Sequence, residues 1–360
     1  MRVRLLDLAT VPYLESQTIY HALAHAMDEA TPNTIALVSP DRPYVCIGYH
    51  QELDKEIDLE YCRSRGIPVL RREVGGGAVY LDGGQFFVQW IFHRENLPRQ
   101  VEEVYKLFIG LLVETYRSLG IEAHHRPLND ILVGERKIGG TGMAAIGQAI
   151  VVVGSLMFDF DTDTMARALK VSSEKMRDKI YQSLRDYMTT MRRELGRRPP
   201  RERVKSILIA KLREALEVEL EPGRLTYKES KTVEALNRRF LSPRWLRLKG
   251  GLPPRRVGVL IRGGVRVAEA EHKAPGGLIR VTARLRERVI EDLTISGDFT
   301  FQPQDMLEAL EVSLQGRRLD GHELIAAIDA FYRSRRVQSP GVSPQDLATV
   351  LLRLRDGLSP

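Results

Sequence analysis

Apolar residues recur along this chain in two registers. Between residues 1 and 160, short runs rich in Val, Ile and aromatics, bounded by Gly, Pro or Asp, predict strands at Ile35–Ser39, Tyr44–Gly48, Pro68–Arg71, Phe86–Phe92 and Ile150–Phe158. The run from Met1 to Leu8 reads as a first strand. Helices lie between them. Val101, Val104, Tyr105, Phe108, Leu111, Leu112 and Leu119 follow the roughly 3.6-residue period, and Gly120 stands at a C-cap position. Ser16–Ala30 predicts a second helix, stopped at the Pro32-Asn33 turn. The spacing is too irregular for a simple doubly wound sheet. The expected fold is α/β (α+β), a mixed sheet flanked by helices.

The rest of the chain divides at one point. Residues 162–240 read as mostly helical: Asp163–Leu169, Ser173–Leu195, Arg201–Leu216 and Ser230–Phe240. Gly250-Gly251-Leu-Pro253-Pro254 is the best candidate linker, because Gly and Pro clusters punctuate structure. Strand-like runs follow at Arg256–Ile261, Leu278–Leu285 and Val289–Ser296, then helical ones at Pro303–Ser313, Gly321–Tyr332 and Ser343–Leu354. The expected organisation is a first domain over residues 1–248, with the helical segment 162–240 at its end, and a small α+β C-terminal domain over 255–360.

Composition narrows the setting. Hydrophobic residues make up 43% and charged residues 28% of 360, an ordinary globular mix. No run approaches the roughly 18 apolar residues that span a bilayer, and the N-terminus lacks a secretory pattern. Two cysteines, Cys46 and Cys62, are too few for a disulfide framework or a zinc cluster. The expected compartment is cytoplasmic, with no membrane partner. Net charge is +7, concentrated at Arg192–Lys205 and Arg244–Arg266. Such charge attracts acidic partners. No nucleic-acid-binding signature accompanies it, so nucleic acid is not the expected partner.

Four segments can carry chemistry. In Arg71-Arg72-Glu-Val-Gly75-Gly76-Gly77-Ala-Val79-Tyr-Leu-Asp82, consecutive glycines permit close backbone approach to a ligand, and two arginines suit an anion. The spacing fits neither a P-loop nor a dinucleotide fingerprint, and by itself the run reads first as a glycine-rich bulge or tight turn. In Asn129-Asp130-Ile-Leu-Val-Gly-Glu-Arg-Lys137-Ile-Gly139-Gly140-Thr141-Gly142, a short strand runs into a turn, a lysine and a second glycine-rich stretch. A lysine beside exposed backbone can stabilise charge developing on a phosphate or carboxylate. Asn129 and Asp130 offer oxygens to a hard cation such as Mg2+. Val153-Gly154-Ser155-Leu156-Met157 reads as a core strand or an apolar wall. His272-Lys273-Ala-Pro-Gly276-Gly277, with Gly297-Asp298-Phe299 downstream, reads as a turn between strands.

Together these segments resemble the lipoate–protein ligase A family of the biotin/lipoate ligase superfamily. That family's pattern is R-R-x-x-G-G-G-x-V-x-x-D, then N-D and K-I-x-G, then a G-[ST]-L-L strand. The fourth segment resembles the family's accessory domain, which in archaea is often a separate B subunit. The resemblance implies a biotin/lipoate-ligase-like catalytic domain, ATP and Mg2+ as cofactors, and lipoate or octanoate as the acid. It also implies an acyl-adenylate intermediate and transfer to a lysine of a lipoyl carrier, a 2-oxoacid dehydrogenase E2-type domain or a glycine-cleavage H-type protein. Carried over by position, Lys137 is the catalytic lysine. Arg71, Arg72, Gly75, Gly76, Gly77, Val79, Asp82, Gly139, Gly140, Thr141, Gly154 and Ser155 line the acyl and adenylate pocket, with Asn129 and Asp130 near metal and phosphates. Leu81 and Val153 replace histidines of the pattern, which touches acyl preference more than reaction class. A monomer is expected, because the accessory domain is fused.

Two rival readings remain. An octanoyltransferase of the same superfamily uses a cysteine shortly before the lysine motif, where this chain has Arg126-Pro127-Leu128-Asn129. A non-catalytic lipoyl- or carrier-binding protein is the other. Biotin ligase is disfavoured by the absence of a G-R-G-R-x-G loop.

Overall fold

The computed structural model describes residues 2–170, 174–249, 260–261 and 265–355. In chain order its strands are β1 (Arg2–Val11), β2 (Thr34–Pro40), β3 (Tyr44–Ile47), β4 (Val69–Arg71), β5 (Val79–Leu81), β6 (Gln85–His93), β7 (Ala123–Arg126), β8 (Asp130–Val133), β9 (Arg136–Ile146), β10 (Ala149–Met157), β11 (Glu219–Pro222), β12 (Leu260–Ile261), β13 (Val265–Ala274), β14 (Gly277–Arg286) and β15 (Val289–Gly297). Contacts gather the chain into two compact units. The first comprises residues 1–46, 57–73 and 79–242; the second comprises 47–56, 74–78 and 243–360.

The first unit is built on an eight-stranded sheet of order β11-β1-β2-β6-β10-β9-β8-β7. β1 runs parallel to β2 and β11, and the remaining neighbours are antiparallel, so the sheet is mixed. Side chains alternate along β6. Phe86, Val88, Trp90 and Phe92 enter the core beneath helices Val101–Arg117 and Arg201–Leu216. Trp90 lies 4.9 Å from Phe108, a contact of about 1 kcal/mol beyond burial. The opposite face is covered by helix Glu15–Ala26, against which helix Tyr227–Phe240 packs. A three-stranded sheet, β4-β3-β5, completes the unit.

Several expected elements change on inspection. The helix expected over Ser173–Leu195 is broken into Glu174–Tyr187 and Met191–Leu195. β-branched Thr189 and Thr190 interrupt it, and Thr190 caps the second piece by accepting from the Arg193 N–H. The helix expected from Ser230 starts at Tyr227, where Thr226 and Glu229 form a reciprocal capping box. The glycine-rich stretch after Lys137 is a strand of 11 residues. The expected linker at 250–254 lies outside the described residues, as does most of the run 256–261.

The second unit holds an antiparallel sheet, β12-β13-β14-β15, under helices Met306–Leu314, Gly321–Arg335 and Pro344–Arg353. β13 escapes a hydropathy reading because the core-facing positions Ala268, Ala270 and Ala274 are small and alternate with the exposed Glu269, Glu271 and Lys273. Residues 47–56 belong to this unit through named contacts. Ser296 Oγ donates to Glu52 at 2.6 Å, His50 stacks on Phe299 at 5.6 Å, and Arg280 pairs with Glu56.

Candidate active site

Lys137 owes its direction to a β-bulge. β8 and β9 pair Asp130 with Gly140 and Ile131 with Gly139, then shift so that Leu132 faces Lys137. Ile138 is the extra residue. Without it, Lys137 would fall on the same face as Ile131, which is buried in the core. With it, Lys137, Gly140 and Asp130 share the other face. The bulge is held from both sides. The fully buried Tyr116 hydroxyl donates to the Ile138 carbonyl at 3.0 Å and accepts the Met157 N–H at 2.9 Å. The Thr189 N–H donates to the Lys137 carbonyl at 2.9 Å, using the extended segment that breaks the helix.

An ion triad results. Lys137 Nζ lies 2.6 Å from Asp130 Oδ1, and Arg126 reaches the other carboxylate oxygen at 2.5 Å. Tyr187 hydrogen-bonds Arg126, which lies over its ring. Burial raises the pKa of Asp130. Lys137 and Arg126 together lower it by more, leaving the carboxyl below its usual range. Gly140 permits the arrangement, since a Cβ there would sit 3.2 Å from both Cε and Nζ of Lys137.

The structure sorts the other expected site residues. Ser155, next to Gly154 on β10, points to the Lys137 face. Thr141, Gly139 and Gly154 point to the opposite one: a Cβ on Gly154 would meet Leu112 and Thr141, and one on Gly139 would meet Ile131 and Tyr116. Asn129 holds β9, its Nδ2 donating to the Thr141 carbonyl at 2.8 Å and its carbonyl accepting the Thr141 N–H at 2.9 Å. Asp82 accepts the Gly84 N–H at 2.7 Å; burial, with Asp161 and Asp159 adding, holds its carboxyl above the usual range. Val79 pairs with Cys46 across β5 and β3. Arg71 and Arg72 are buried, and Arg72 donates to the Cys46 carbonyl at 3.1 Å.

Gly75, Gly76 and Gly77 belong to the second unit. Gly48 packs so closely there that a Cβ would lie 1.9 Å from the Gly76 carbonyl oxygen. Gly75 adjoins Phe299 and Thr300, and Gly77 adjoins Asp298. The glycines of the first motif and the Asp298-Phe299 end of the fourth, far apart in sequence, therefore meet within one unit.

Sequence reasoning missed a buried polar network under helix Glu15–Ala26. Gln17 donates to the Tyr44 hydroxyl at 2.7 Å and accepts from Tyr20 at 2.8 Å. His21 Nε2 accepts the Glu73 N–H at 3.0 Å, so its Nδ1 carries the proton toward the Gln17 carbonyl. Burial lowers the His21 pKa to about 4. Glu73 pairs with His25 at 3.0 Å and Arg239 at 2.8 Å. Burial opposes ionisation of Glu73, but these partners bring it down to about 2. The only signal was the run Gln17, Tyr20, His21 along an otherwise apolar helical face.

Asn129 and Asp130, expected near metal and phosphates, differ in what they present to a cation. Both Asp130 oxygens face cations, Lys137 and Arg126, whereas Asn129 spends its Nδ2 on β9. Among the described residues no three His, Cys, Asp or Glu side chains converge as ligands. Neither cysteine is in a disulfide and both are buried; burial raises the Cys46 thiol and takes Cys62 to about 11.

Comparison with known proteins gives the family. The lipoyl protein ligase A/B catalytic domain family matches residues 12–213, and the bacterial lipoate protein ligase C-terminus matches residues 268–351. The chain belongs to the lipoyl protein ligase A/B family. Lipoate–protein ligase 1 of Staphylococcus aureus is 28% identical over 292 residues, covering 81% of this chain and 83% of that protein. An octanoyltransferase of Kyrpidia tusciae is 29% identical over 246 residues, covering 62% and 89%. Among solved structures, a chain of the archaeal bi-partite lipoate protein ligase of Thermoplasma acidophilum, studied with its E2 lipoyl domain, superposes with a TM-score of 0.64 at 27% identity, covering 69% of this chain and 98% of that one. A P. falciparum protein solved with lipoate shares the fold over 98% of this chain and 99% of its own, with a TM-score of 0.67 at 14% identity. The large mixed sheet flanked by helices, with a small C-terminal sheet domain, is the architecture of lipoate ligases. No helix among the described residues is long and apolar enough to cross a membrane.

Proposed function

We propose that the chain is an ATP-dependent lipoate–protein ligase acting on lipoate or octanoate, and that its acceptor is a lysine of a lipoyl domain. The observation that carries this reading is Lys137 Nζ, turned by the bulge onto one face beside Gly140 and held, among the carboxylates of the described residues, by Asp130. An arriving anion can take over the ammonium from Asp130, while Arg126 keeps that carboxylate paired.

Two steps follow. A carboxylate oxygen of the acid attacks the α-phosphorus of ATP; the bond to pyrophosphate breaks, and an acyl-adenylate forms. The neutral amine of the acceptor lysine then attacks the acyl carbon, AMP leaves with the bonding pair, and the amine loses a proton. Lys137 offsets charge on the phosphate in the first step and on the acyl oxygen in the second. Asp82, whose affinity for a proton is raised by burial, is the candidate to receive the amine's proton. No step is assigned to a metal held by this chain.

The octanoyltransferase reading needs a nucleophilic thiolate. Both cysteines are buried and held as thiols, the opposite of an activated nucleophile. Two unbridged thiols also suit a cytoplasmic setting. The test is ATP–pyrophosphate exchange with and without lipoate, beside Lys137→Ala. Lipoate-dependent exchange that disappears in the variant supports the ligase. Transfer of octanoate from an acyl carrier without ATP would overturn it.

A further inference from the structure

Seven basic residues and two acids fall between Arg192 and Lys205. Their partners divide them. Arg192 pairs with Asp159 at 3.0 Å, and Lys205 pairs with Asp7 at 2.8 Å and Glu202 at 2.7 Å. The remaining five make no ion pair with a carboxylate among the described residues. Arg193 is held by the carbonyls of Arg185 and Met188, at 2.9 and 3.0 Å. Arg198 and Arg201 lie against one ring, Phe158, at 5.6 and 5.1 Å from its centroid, and both donate to the Gly83 carbonyl. Arg201 also donates to Ser39 Oγ at 2.6 Å. Arg197 and Arg203 are exposed.

Like charges gathered on one ring repel, and a fold indifferent to them would supply carboxylates. Here carbonyls and a ring fix the guanidinium positions and leave their charge intact. Beside them is a cleft of about 340 Å³, whose lining includes Arg185, Arg192 and Arg193, one acid, Asp159, and Thr189 and Thr190. Thr189 is the residue whose N–H holds the Lys137 carbonyl. The positive surface thus borders the segment that clamps the reactive strand.

We propose that this arginine surface docks the acceptor protein through an acidic face flanking the acceptor's target lysine. The proposal rests on the ligase reading above. The cations are spread over helices 174–187, 191–195 and 201–216 and the turn at 196–200, which makes a broad face and not a cradle of backbone N–H groups for one phosphate. The aromatic rings beside them are engaged: Phe158 is buried under Arg198 and Arg201, and Phe160 meets Tyr80 edge-on. Neither is free for the base stacking that single-stranded nucleic acid uses. Surface charge of this kind sets encounter rate and partner choice.

The experiment uses the full chain with Arg185→Glu, Arg197→Glu and Arg203→Glu combined, because these side chains make no ion pair or side-chain hydrogen bond among the described residues. Two quantities are read: lipoate-dependent ATP–pyrophosphate exchange without acceptor, and the KM for an apo E2-type lipoyl domain. The expected result is unchanged exchange and an acceptor KM raised about tenfold at low salt, with the difference shrinking as salt screens the charges. A lipoyl domain with acids reversed to lysine should recover affinity for the variant. An unchanged KM overturns the docking surface while leaving the ligase reading intact. So does duplex DNA binding tighter than the lipoyl domain and lost in the same variant. If the unaltered protein shows no exchange, the ligase reading fails instead, and direct binding of the lipoyl domain to both proteins then decides the surface alone.

Discussion

Replacing Tyr116 by Phe removes one oxygen and keeps the ring, so no cavity opens. Two buried backbone groups lose their partner, the Ile138 carbonyl and the Met157 N–H. A buried polar group left without a partner costs about 1–3 kcal/mol, so the pair together costs about 2–6 kcal/mol. The strand cannot escape by sliding to an unbulged register. That would turn the Lys137 ammonium into the core, at several kcal/mol for an unpaired charge. The loss must therefore appear as local opening around the bulge. The Met157 amide should exchange its hydrogen at least about 30-fold faster than in the unaltered protein, the factor that about 2 kcal/mol implies. Lys137 then samples wrong directions, and ATP–pyrophosphate exchange at saturating substrates should slow by about tenfold to a hundredfold. Unchanged Met157 protection would show that the two hydrogen bonds contribute nothing. Lost protection with undiminished pyrophosphate exchange would show that the bulge does not position Lys137.

Further outcomes follow from the same geometry. Gly140→Ala places a methyl 3.2 Å from Lys137 Nζ, so circular dichroism should stay unchanged while the rate of adenylate formation falls by about tenfold. Cys46→Ala with Cys62→Ala should retain ATP-dependent lipoylation, measured by mass of the acceptor; loss of transfer with the fold intact would revive the cysteine mechanism. Stability of the first unit should fall on acidification. His21, lowered to about 4, favours the neutral folded state, so protonation of the unfolded chain erodes stability as pH drops from about 6.5 to 4. Glu73, lowered to about 2, contributes stability above about pH 4.5 that is lost toward pH 2. Denaturant midpoints across this range should be flatter between pH 7 and 4 in His21→Gln, and an identical pH slope would remove His21 from the account.

Much of the fold was legible because burial is periodic. The helix at 101–117 and the strand at 85–93 declare themselves by which residues must avoid water. The site was legible only as spacing. Asn129-Asp130 and Lys137 could be named, but Lys137 and Gly140 reach the same face as Asp130 only through one extra residue, Ile138, and alternation has no mark for a bulge. Glycines at 139, 140 and 142 hid the length of β9, since they lack the side chains that signal a strand. The helix break at Met188–Thr190 was hidden for the opposite reason: Met188 continues the apolar period, and the docking against Lys137 that reinforces the break leaves no mark in the local pattern. The His21–Glu73 network was invisible because its partners come from three distant parts of the chain.

The composition of the second unit bears on how the molecule is made. His50 and the Gly75–Gly77 loop leave the ribosome long before Phe299, the residue they pack with. The first unit must therefore complete its sheet while these two segments wait without partners. A gene cut at the candidate linker would not yield two self-sufficient products. The downstream fragment would lack part of its own interior and would have to borrow it from the upstream fragment, so a split form of this enzyme is viable only as an obligate pair of chains.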